Sequence, residues 1–527
     1  MSSITSYILV NNNYLVKCLL LTGCAGFTAA SFVAYKRCRY SRAVLLLMGA
    51  ALSLRLVMIG LDPFLHDWDE RFHALVAKNL LADYLRPLLR ANPVLPYDYR
   101  SWSSNHVWLH KQPLFLWQMT LSMQVFGVNE VALRLPSAIL GTLLLWPTYR
   151  LGKLIFSPAV GYHAALLTAF AYYQLELTTG WQSVDHSDVA FLAYVTASVW
   201  AYYESRQPLA SRYWNLVIGL SAGGAVLCKW LPGLVVYAAW VVDVLVEKDR
   251  RRNAQEYLRA TSATAITALV VLPWQVYCHF RFPLEQAFET RYAALHFGRV
   301  LEGKGGPWYF YLTQNMWYQY QWLVLLIGIG IALLLTGKET SKTGRPLLVT
   351  GGLMFVFYTL AATKMPSYTY VVSPGVLLLA ALAWEKITGW LGRRFKNWGP
   401  LPAYAMLFLV LAVDLRPFSL LKHHTLRFAT LQGQQERRLK IRRTEAYRRL
   451  DALVPAGHII FNAPPLAEIE AMFYSNLNVY SWWPSEEEHR SLIRRGYHLA
   501  ILPDHGQQKV PDFLRNGGAI TIPFVFD

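Results

Sequence analysis

Long apolar runs, separated by short polar breaks, dominate the chain. Runs of spanning length fall near residues 14–34, 43–61, 132–152, 159–177, 186–204, 212–229, 232–247, 258–278, 316–336, 346–362, 368–385 and 400–416. A hydrocarbon core of about 30 Å takes about 20 helical residues, so the shorter runs must borrow flanking residues to cross. The pattern predicts an all-α polytopic membrane protein with about 12 transmembrane helices. After residue 416 the pattern changes. Apolar β-type runs such as HIIFNA (458–463) and HLAILPD (498–504) alternate with helical patterns such as SEEEHRSLIRRG (485–496). That alternation predicts a small C-terminal α/β soluble domain over 417–527, appended to a membrane domain over 1–416.

Basic loops orient the chain. KRCRYSR (36–42), EKDRRR (247–252), KETSKTGR (338–345) and RRFK (393–396) are the clearest cytoplasmic segments. With twelve spans these four share one side. The N-terminus, the long loop 62–131, the loop 279–315 and everything after 416 share the outer side. Counting 113–126 (PLFLWQMTLSMQVF) as a span would flip every later loop, so it reads as a helix lying in the outer interface. The N-terminus has no basic stretch ahead of its apolar run, which fits an uncleaved first span rather than a signal peptide. A basic start to the tail runs against the positive-inside bias, but long domains translocate largely regardless of charge.

Composition agrees. Hydrophobic residues make up 54% of the 527 and charged residues 16%, against roughly 25% charged in ordinary globular domains. This excludes a disordered chain and argues against a soluble enzyme. The formal net charge is +18. In a membrane protein that excess is assigned to topology-setting loops and to phosphate-bearing membrane lipids, not to nucleic acid. Five cysteines, at 18, 24, 38, 228 and 278, form no CxxC and give neither a disulfide framework nor a zinc knuckle.

Chemistry concentrates at the outer ends of the runs. The densest polar cluster is His66-Asp67-Trp68-Asp69-Glu70-Arg71-Phe72-His73, just after the second run. Asp69 and Glu70 are neighbours, so on a helix they point about 100° apart and suit two roles better than one shared proton. A carboxylate at the mouth of an apolar cavity can act as a general base; acidic residues are equally at home in a solvated first helical turn. Lys111, ahead of the interfacial helix, could neutralise a phosphate or simply snorkel. His110 beside it suits a metal or a hydrogen bond. Asp185 and Asp188 open a later run, where a carboxylate is costly unless paired or wet. Lys229 sits in the turn Cys228-Lys229-Trp230-Leu231-Pro232, and His296 and Arg299 lie in the loop 279–315. Lys364 and Tyr368 lie at another helix end. Each cation alone fits a membrane anchor; the predicted topology gathers Asp69, Lys111, Asp185, Lys229, Arg299 and Lys364 at one face.

These residues, in this order, resemble the GT-C superfamily of polyprenyl-phosphate-sugar-dependent glycosyltransferases, in the branch of bacterial lipid A aminoarabinose transferase and protein O-mannosyltransferases. The resemblance covers roughly residues 60–385. Asp69-Glu70 stands where the family has an Asp-Glu pair. His110-Lys111-Gln112-Pro113-Leu114 resembles its Lys-Pro-Pro-Leu, and Arg134-Leu135-Pro136-Ser137 matches its Arg-Leu-Pro-Ser. Asp185 or Asp188 answers to its later acid, and spacing does not choose between them. Cys228-Lys229-Trp230 resembles Thr-Lys-Gly. Pro307-Trp308-Tyr309 and Lys364-Met365-Pro366-Ser367-Tyr368 resemble Pro-Trp-Tyr and Lys-Leu-Pro-His-Tyr. Gln112 and Trp230 depart from the pattern, where the family has Pro and Gly.

The resemblance implies a polyprenyl-phosphate sugar donor, an active site on the outer, periplasmic side of the cytoplasmic membrane, and inversion at the anomeric carbon. It implies Asp69 as base, with Glu70 orienting it or meeting the acceptor, and Asp185 or Asp188 as the second acid. Lys111, Arg299 and Tyr368, with Lys229 and Lys364, would hold the donor phosphate. A divalent metal (zinc, magnesium or manganese) is a candidate cofactor, with His110 and His296 as candidate ligands. A glycolipid, an envelope polymer or a protein would be the acceptor. The competing class is a twelve-span secondary transporter, against which stand the lack of an internal repeat and the long outer loop.

Overall fold

The computed structural model describes residues 14–102, 104–182, 186–394, 431–502, 510–515 and 518–522. Helices α1 (Tyr14–Lys36) and α2 (Tyr40–Ile59) make a hairpin through the basic turn at 37–39. A long connection then carries α3 (Asp69–Asn79) and α4 (Leu114–Phe126) before the chain re-enters the bundle. Helix α5 (Glu130–Leu143), capped by the Asn129 side chain, runs on into α6 (Leu145–Ile155). Next come α7 (Pro158–Phe170), α8 (Tyr172–Thr179), α9 (His186–Ser205), α10 (Tyr213–Lys229) and α11 (Val235–Val246). Helices α12 (Ala254–Arg281), α13 (Pro283–Gly298), α14 (Gln314–Tyr320), α15 (Leu323–Thr336), α16 (Lys338–Leu360) and α17 (Ser373–Arg394) complete it.

The chain is a largely helical, multi-pass membrane protein, but the expected count of about 12 spans is corrected. Among the described residues five helices are long and apolar enough to cross a membrane: Tyr14–Lys36, Tyr40–Ile59, Glu130–Ile155, Ala254–Arg281 and Tyr368–Arg394. Two apolar runs are interrupted by backbone. The run 159–177 breaks at Ala171, whose ψ of 114° leaves the helical region. The run 316–336 breaks at Gln321, with φ +46°. A third, 186–204, forms the full-length α9 but carries Asp188 and Glu204. The run 400–416 and the boundary at 416/417 lie outside the described residues. At the Ala171 break the fully buried Arg55 guanidinium donates to the carbonyls of Thr168 and Ala169, at 3.5 and 3.1 Å. The break thus leaves carbonyls for a cation that would otherwise be costly inside the bundle.

The expected α/β tail is present. Strands β1 (His458–Phe461), β2 (Asn478–Val479), β3 (His498–Ile501) and β4 (Ile520–Thr521) form an all-parallel sheet in the order β2-β1-β3-β4, with Ile460 opposite Val479 and Ala500. Parallel pairing demands crossovers. Helices α19 (Ala467–Tyr474) and α20 (Glu486–Arg494) supply two of them, α20 opening with a capping box from Ser485 and Glu488. A further helix, α18 (Leu431–Arg448), precedes the sheet.

The sheet domain is clamped onto the long connection between α2 and α5. Val94 and Leu95 enter the same apolar core as Ile459, Phe461, Tyr480 and Leu499. Lys78, at the end of α3, donates to the carbonyls of Met472, Phe473 and Ser475 at the end of α19. A cation at a helix C-terminus is favourable. Arg90 is buried with its guanidinium over the rings of Tyr480 and Trp482, at 4.7 and 5.2 Å. A desolvated cation–π contact contributes up to about 2 kcal/mol. Replacing Arg90 with Ala should therefore loosen the domain by about 2 kcal/mol, seen as faster amide hydrogen exchange in β1 and β2 with the bundle unaffected. Unchanged exchange there would remove Arg90 from the clamp.

Candidate active site

The segment after α2 turns sharply at Trp68, whose φ of +68° places it in the left-handed region, and α3 begins at the next residue. Two carboxylates therefore occupy the first turn of α3, where the exposed N–H groups favour negative charge. Because successive helical residues diverge by about 100°, the two side chains enter different surroundings. Asp69 lies on the wall of a cavity of about 280 Å³. Glu70 is not on that wall; it is fully buried in the bundle.

Glu70 is held from several directions. Arg134, on α5, donates through Nε to Oε1 at 2.7 Å and through its terminal nitrogen to Oε2 at 3.1 Å. His66 meets Oε2 with its backbone N–H at 2.5 Å and with Nδ1 at 2.8 Å. His186, the first residue of α9, reaches Oε1 at 3.3 Å, and its other ring nitrogen meets Ser137 at 2.8 Å. His66 also meets Asp62 at 3.1 Å, and Asp62 accepts from the Trp181 indole at 3.1 Å. Burial opposes a charge on Glu70, but the Arg134 guanidinium and the His66 imidazole overcome it and hold the carboxyl well below its ordinary range. Arg134 also donates to the carbonyls of Ile59, Asp62 and Phe64, so one guanidinium ties α5 to the end of α2 and to the start of the site.

Asp69 is mostly buried, and the Lys111 ammonium lies 3.0 Å from Oδ2. Burial raises its carboxyl, while Lys111, then His73 and His110, lower it further, so the net shift is downward. His73, one turn along α3, packs edge-on against Trp108 and Phe115. Burial drives its imidazole down to about 3, so it is neutral near pH 7.

The cavity gathers side chains from distant parts of the chain. Lys111 and His110 precede α4, Lys229 ends α10, His296 lies on α13 and Tyr368 opens the last described span; all line it with Asp69. Lys229 is ion-paired with Asp188, which sits behind it on α9, and its ammonium is 4.8 Å from the centre of the Tyr368 ring. Two expected residues stand elsewhere. Lys364 donates to the carbonyls of Thr359 and Ala361, at 2.8 Å each, and so caps the end of α16. Arg299 is exposed and absent from the wall. Asp185 lies outside the described residues.

Sequence reasoning overlooked Glu289, Glu302 and Lys304 on the same wall. Glu289 and His296 are seven residues apart on α13 and share one helix face, a spacing that was legible. The Glu289 carboxylate meets His110 Nδ1 at 3.0 Å, while His296 Nδ1 points to its own helix, at Tyr292 O. Burial lowers the His296 imidazole below its ordinary range. Among the described residues no three His, Cys, Asp or Glu side chains gather as a set that would hold a metal ion.

Residues 110–277 match the family model of dolichyl-phosphate-mannose-protein mannosyltransferases. The chain is 25% identical over 287 residues to an undecaprenyl phosphate-α-4-amino-4-deoxy-L-arabinose arabinosyl transferase of Pseudomonas fluorescens, a match covering 53% of this chain and 48% of that protein. The chain thus spans about half the length of this curated relative. ArnT from Cupriavidus metallidurans, crystallised with undecaprenyl phosphate, has the same fold: TM-score 0.63 at 15% identity, over 86% of this chain and 88% of that one. An oligosaccharyltransferase of Archaeoglobus fulgidus, crystallised with zinc and sulfate, superposes with TM-score 0.54 at 15% identity, over 83% of this chain and 62% of that one.

Removing one partner of a buried ion pair costs about 3–5 kcal/mol. Glu70→Gln should therefore lower the thermal midpoint far more than Asp69→Asn. Because the Glu70 carboxyl is depressed in the folded protein, its contribution is complete above the ordinary carboxylate range and is lost as pH falls toward the depressed value. Melting curves of wild type and Glu70→Gln should converge on acidification. Parallel curves would show that Glu70 is not charged in the folded state.

Proposed function

We propose that this chain is an inverting glycosyltransferase of the GT-C type. It moves a sugar from a polyprenyl-phosphate carrier to an acceptor hydroxyl or phosphate. The acceptor is a glycolipid, an envelope polymer or a protein, and the reaction takes place at the periplasmic face of the cytoplasmic membrane. One observation carries the reading: a carboxylate, Asp69, shares a cavity wall with three lysines, Lys111, Lys229 and Lys304, and with aromatic side chains suited to a sugar and a lipid.

In the proposed reaction the acceptor hydroxyl loses its proton to Asp69 as its oxygen attacks the anomeric carbon. The bond from that carbon to the phosphate oxygen breaks on the opposite face, and the lipid phosphate leaves with the electron pair. A single displacement inverts the anomeric configuration. Cations at the cavity wall would stabilise the charge that builds on the leaving phosphate. Lys111 and Lys229, both on the cavity wall, would supply them, and the Tyr368 ring 4.8 Å from the Lys229 ammonium supports that orientation.

Lys111 would have two partners in turn. Before the donor binds, it holds the Asp69 carboxyl low, which makes a weak base. A donor phosphate offers the ammonium a stronger anion. As Lys111 turns to it, burial dominates at Asp69 and its proton affinity rises. Donor binding would thereby arm the base and protect the site from idle acid–base chemistry. Glu70 acts as a positioning residue that fixes the first turn of α3. His110, with Glu289 and His296, is where a divalent ion would be sought, but these groups do not form a binding set as arranged, so no step is routed through one.

Asp69→Asn should lower the transfer rate by at least about a hundredfold, the lower end for loss of a general base, with donor affinity retained. Full activity in a folded Asp69→Asn protein would reject the assignment. Lys111→Ala removes one charge-assisted hydrogen bond, so donor affinity should fall about tenfold or more. It also removes the cation that lowers Asp69, so the acid limb of the kcat/KM profile should move to higher pH. Mass spectrometry of envelope glycolipids and glycoproteins, with and without the intact protein, would identify the sugar and the acceptor by the missing increment. The absence of any such change would reject the transferase reading.

A further inference from the structure

A sharp backbone reversal borders the cavity at Trp230, between the end of α10 and a short 3₁₀ turn (Leu231–Leu234). Its φ of +64° and ψ of −149° belong to a region that glycine alone enters without strain. The turn imposes this conformation; the side chain does not. The Trp230 N–H donates to Val226 O at 2.8 Å, and the Trp230 carbonyl accepts from the Gly233 N–H at 3.0 Å. Gly233 comes so close to α10 that a Cβ on it would lie 2.6 Å from the Val226 nitrogen. The backbone therefore asks for glycine at 230 and carries the bulkiest of side chains instead. This is also one of the two positions at which the sequence departs from the motif pattern it resembles, and glycine is the residue exchanged there.

The fold makes little use of the indole. Among the described residues its ring packs on no other aromatic ring, no cation lies over it, and its N–H has no hydrogen-bond partner. Half-buried as it is, Trp230 joins none of the apolar clusters of the bundle. It lines the cavity that holds Asp69, Lys111 and Lys229. Trp68, on the same wall, also has a positive φ, +68°, but the Lys304 ammonium lies over its ring at 5.6 Å. A strained residue beside a site, with so little return in packing, points to a task in that site.

An indole offers a flat apolar face and one N–H at its edge. A sugar ring has the complementary form, with C–H groups on its face and hydroxyls around its rim. A hydrocarbon tail would cover the face but leave the N–H without an acceptor, which is unfavourable. Position completes the match. Trp230 follows Lys229 directly, and the donor's sugar is bonded to the phosphate that Lys229 would hold.

We propose that Trp230 is a stacking platform for the transferred sugar while it is still on its carrier. The inference rests on the transferase reading above and deepens it. One C–H face of the sugar lies on the indole and one hydroxyl accepts from the indole N–H. Trp230 thus determines which sugar is held, and takes no part in moving the proton or stabilising the phosphate.

The test measures binding to the full-length protein in nanodiscs. The probes are undecaprenyl phosphate, bare and carrying single pentoses or hexoses. In wild type the matching sugar should tighten binding over the bare lipid. Trp230→Gly should reduce that gain about threefold to tenfold, as for loss of one aromatic stacking contact. It should bind the bare lipid as wild type does, and its thermal midpoint should equal or exceed that of wild type, since glycine adopts this backbone freely. Trp230→Phe should keep most of the gain and Trp230→Leu should lose it, although both carry the same backbone strain. That pair makes the comparison should the glycine variant melt early. An undiminished gain in the leucine or glycine variant overturns the proposal and leaves the transferase reading standing. Equal weakening of the bare lipid also overturns it, assigning the ring to the prenyl chain or the phosphate. A wild type that gains nothing from any sugar on the carrier would overturn the transferase reading, and the platform with it.

Discussion

A carboxylate withdrawn from water must find enough positive charge and enough donors to replace its hydration, or it takes up a proton. Glu70 meets that demand with Arg134, His66 and His186, drawn from three separate stretches of chain. Each partner has a further anchor: Arg134 in the carbonyls after α2, His66 in Asp62, and His186 in Ser137. The network therefore fixes where α3 begins and how it is rotated. That rotation decides everything at the neighbouring position. With Glu70 pinned inward, Asp69 can only face the cavity, and no separate device is needed to aim it.

The two adjacent acids thus divide labour through geometry. One is surrounded by fixed donors and carries a structural charge. The other has a single flexible partner, the Lys111 ammonium, whose four-carbon stem can swing to another anion. A rigid guanidinium fork beside Glu70 and a mobile ammonium beside Asp69 suit those different tasks. Exchanging them would leave the interior charge poorly held and the cavity charge too tightly neutralised.

Much of this was legible in the chain, and the rest failed for identifiable reasons. Apolar runs located most of the helices because burial in lipid or in the bundle selects the same residues. They overstated the spans because apolarity does not reveal a backbone break: nothing in the local composition marks Ala171 or Gln321 as turning points. The HDWDERFH cluster was visible as chemistry, and the 100° rule separated the roles of Asp69 and Glu70. Two partners of Glu70 were not legible, since Arg134 and His186 lie 64 and 116 residues away. Lys364 fitted a motif but not the cavity, because a cation one turn past a helix end is readily drawn to the open carbonyls there; Arg299, expected at the donor phosphate, is exposed and off the cavity wall. Glu289 was missed for the opposite reason: a lone acid on an exposed-looking helix draws no notice until its face is shared with His296.

The C-terminal domain follows the same physical logic from the other side. The long connection carrying Asp69 has little regular structure of its own between α3 and α4, and such a segment is costly to order. The bundle supports it from one side through Glu70 and Arg134. The sheet domain supports it from the other, through Arg90, through Lys78 at the end of α3, and through Arg71, which bridges Asp67 and Glu470. Asp67 in turn meets Lys440 of α18. The cluster after α2 is therefore read twice: His66 and Glu70 face the bundle, Asp67 and Arg71 face the appended domain, and Asp62 meets both through Trp181 and Arg437. Asp69 stands between the two sets. A connection held in this way needs no stability of its own, which leaves its sequence free to specify the cavity.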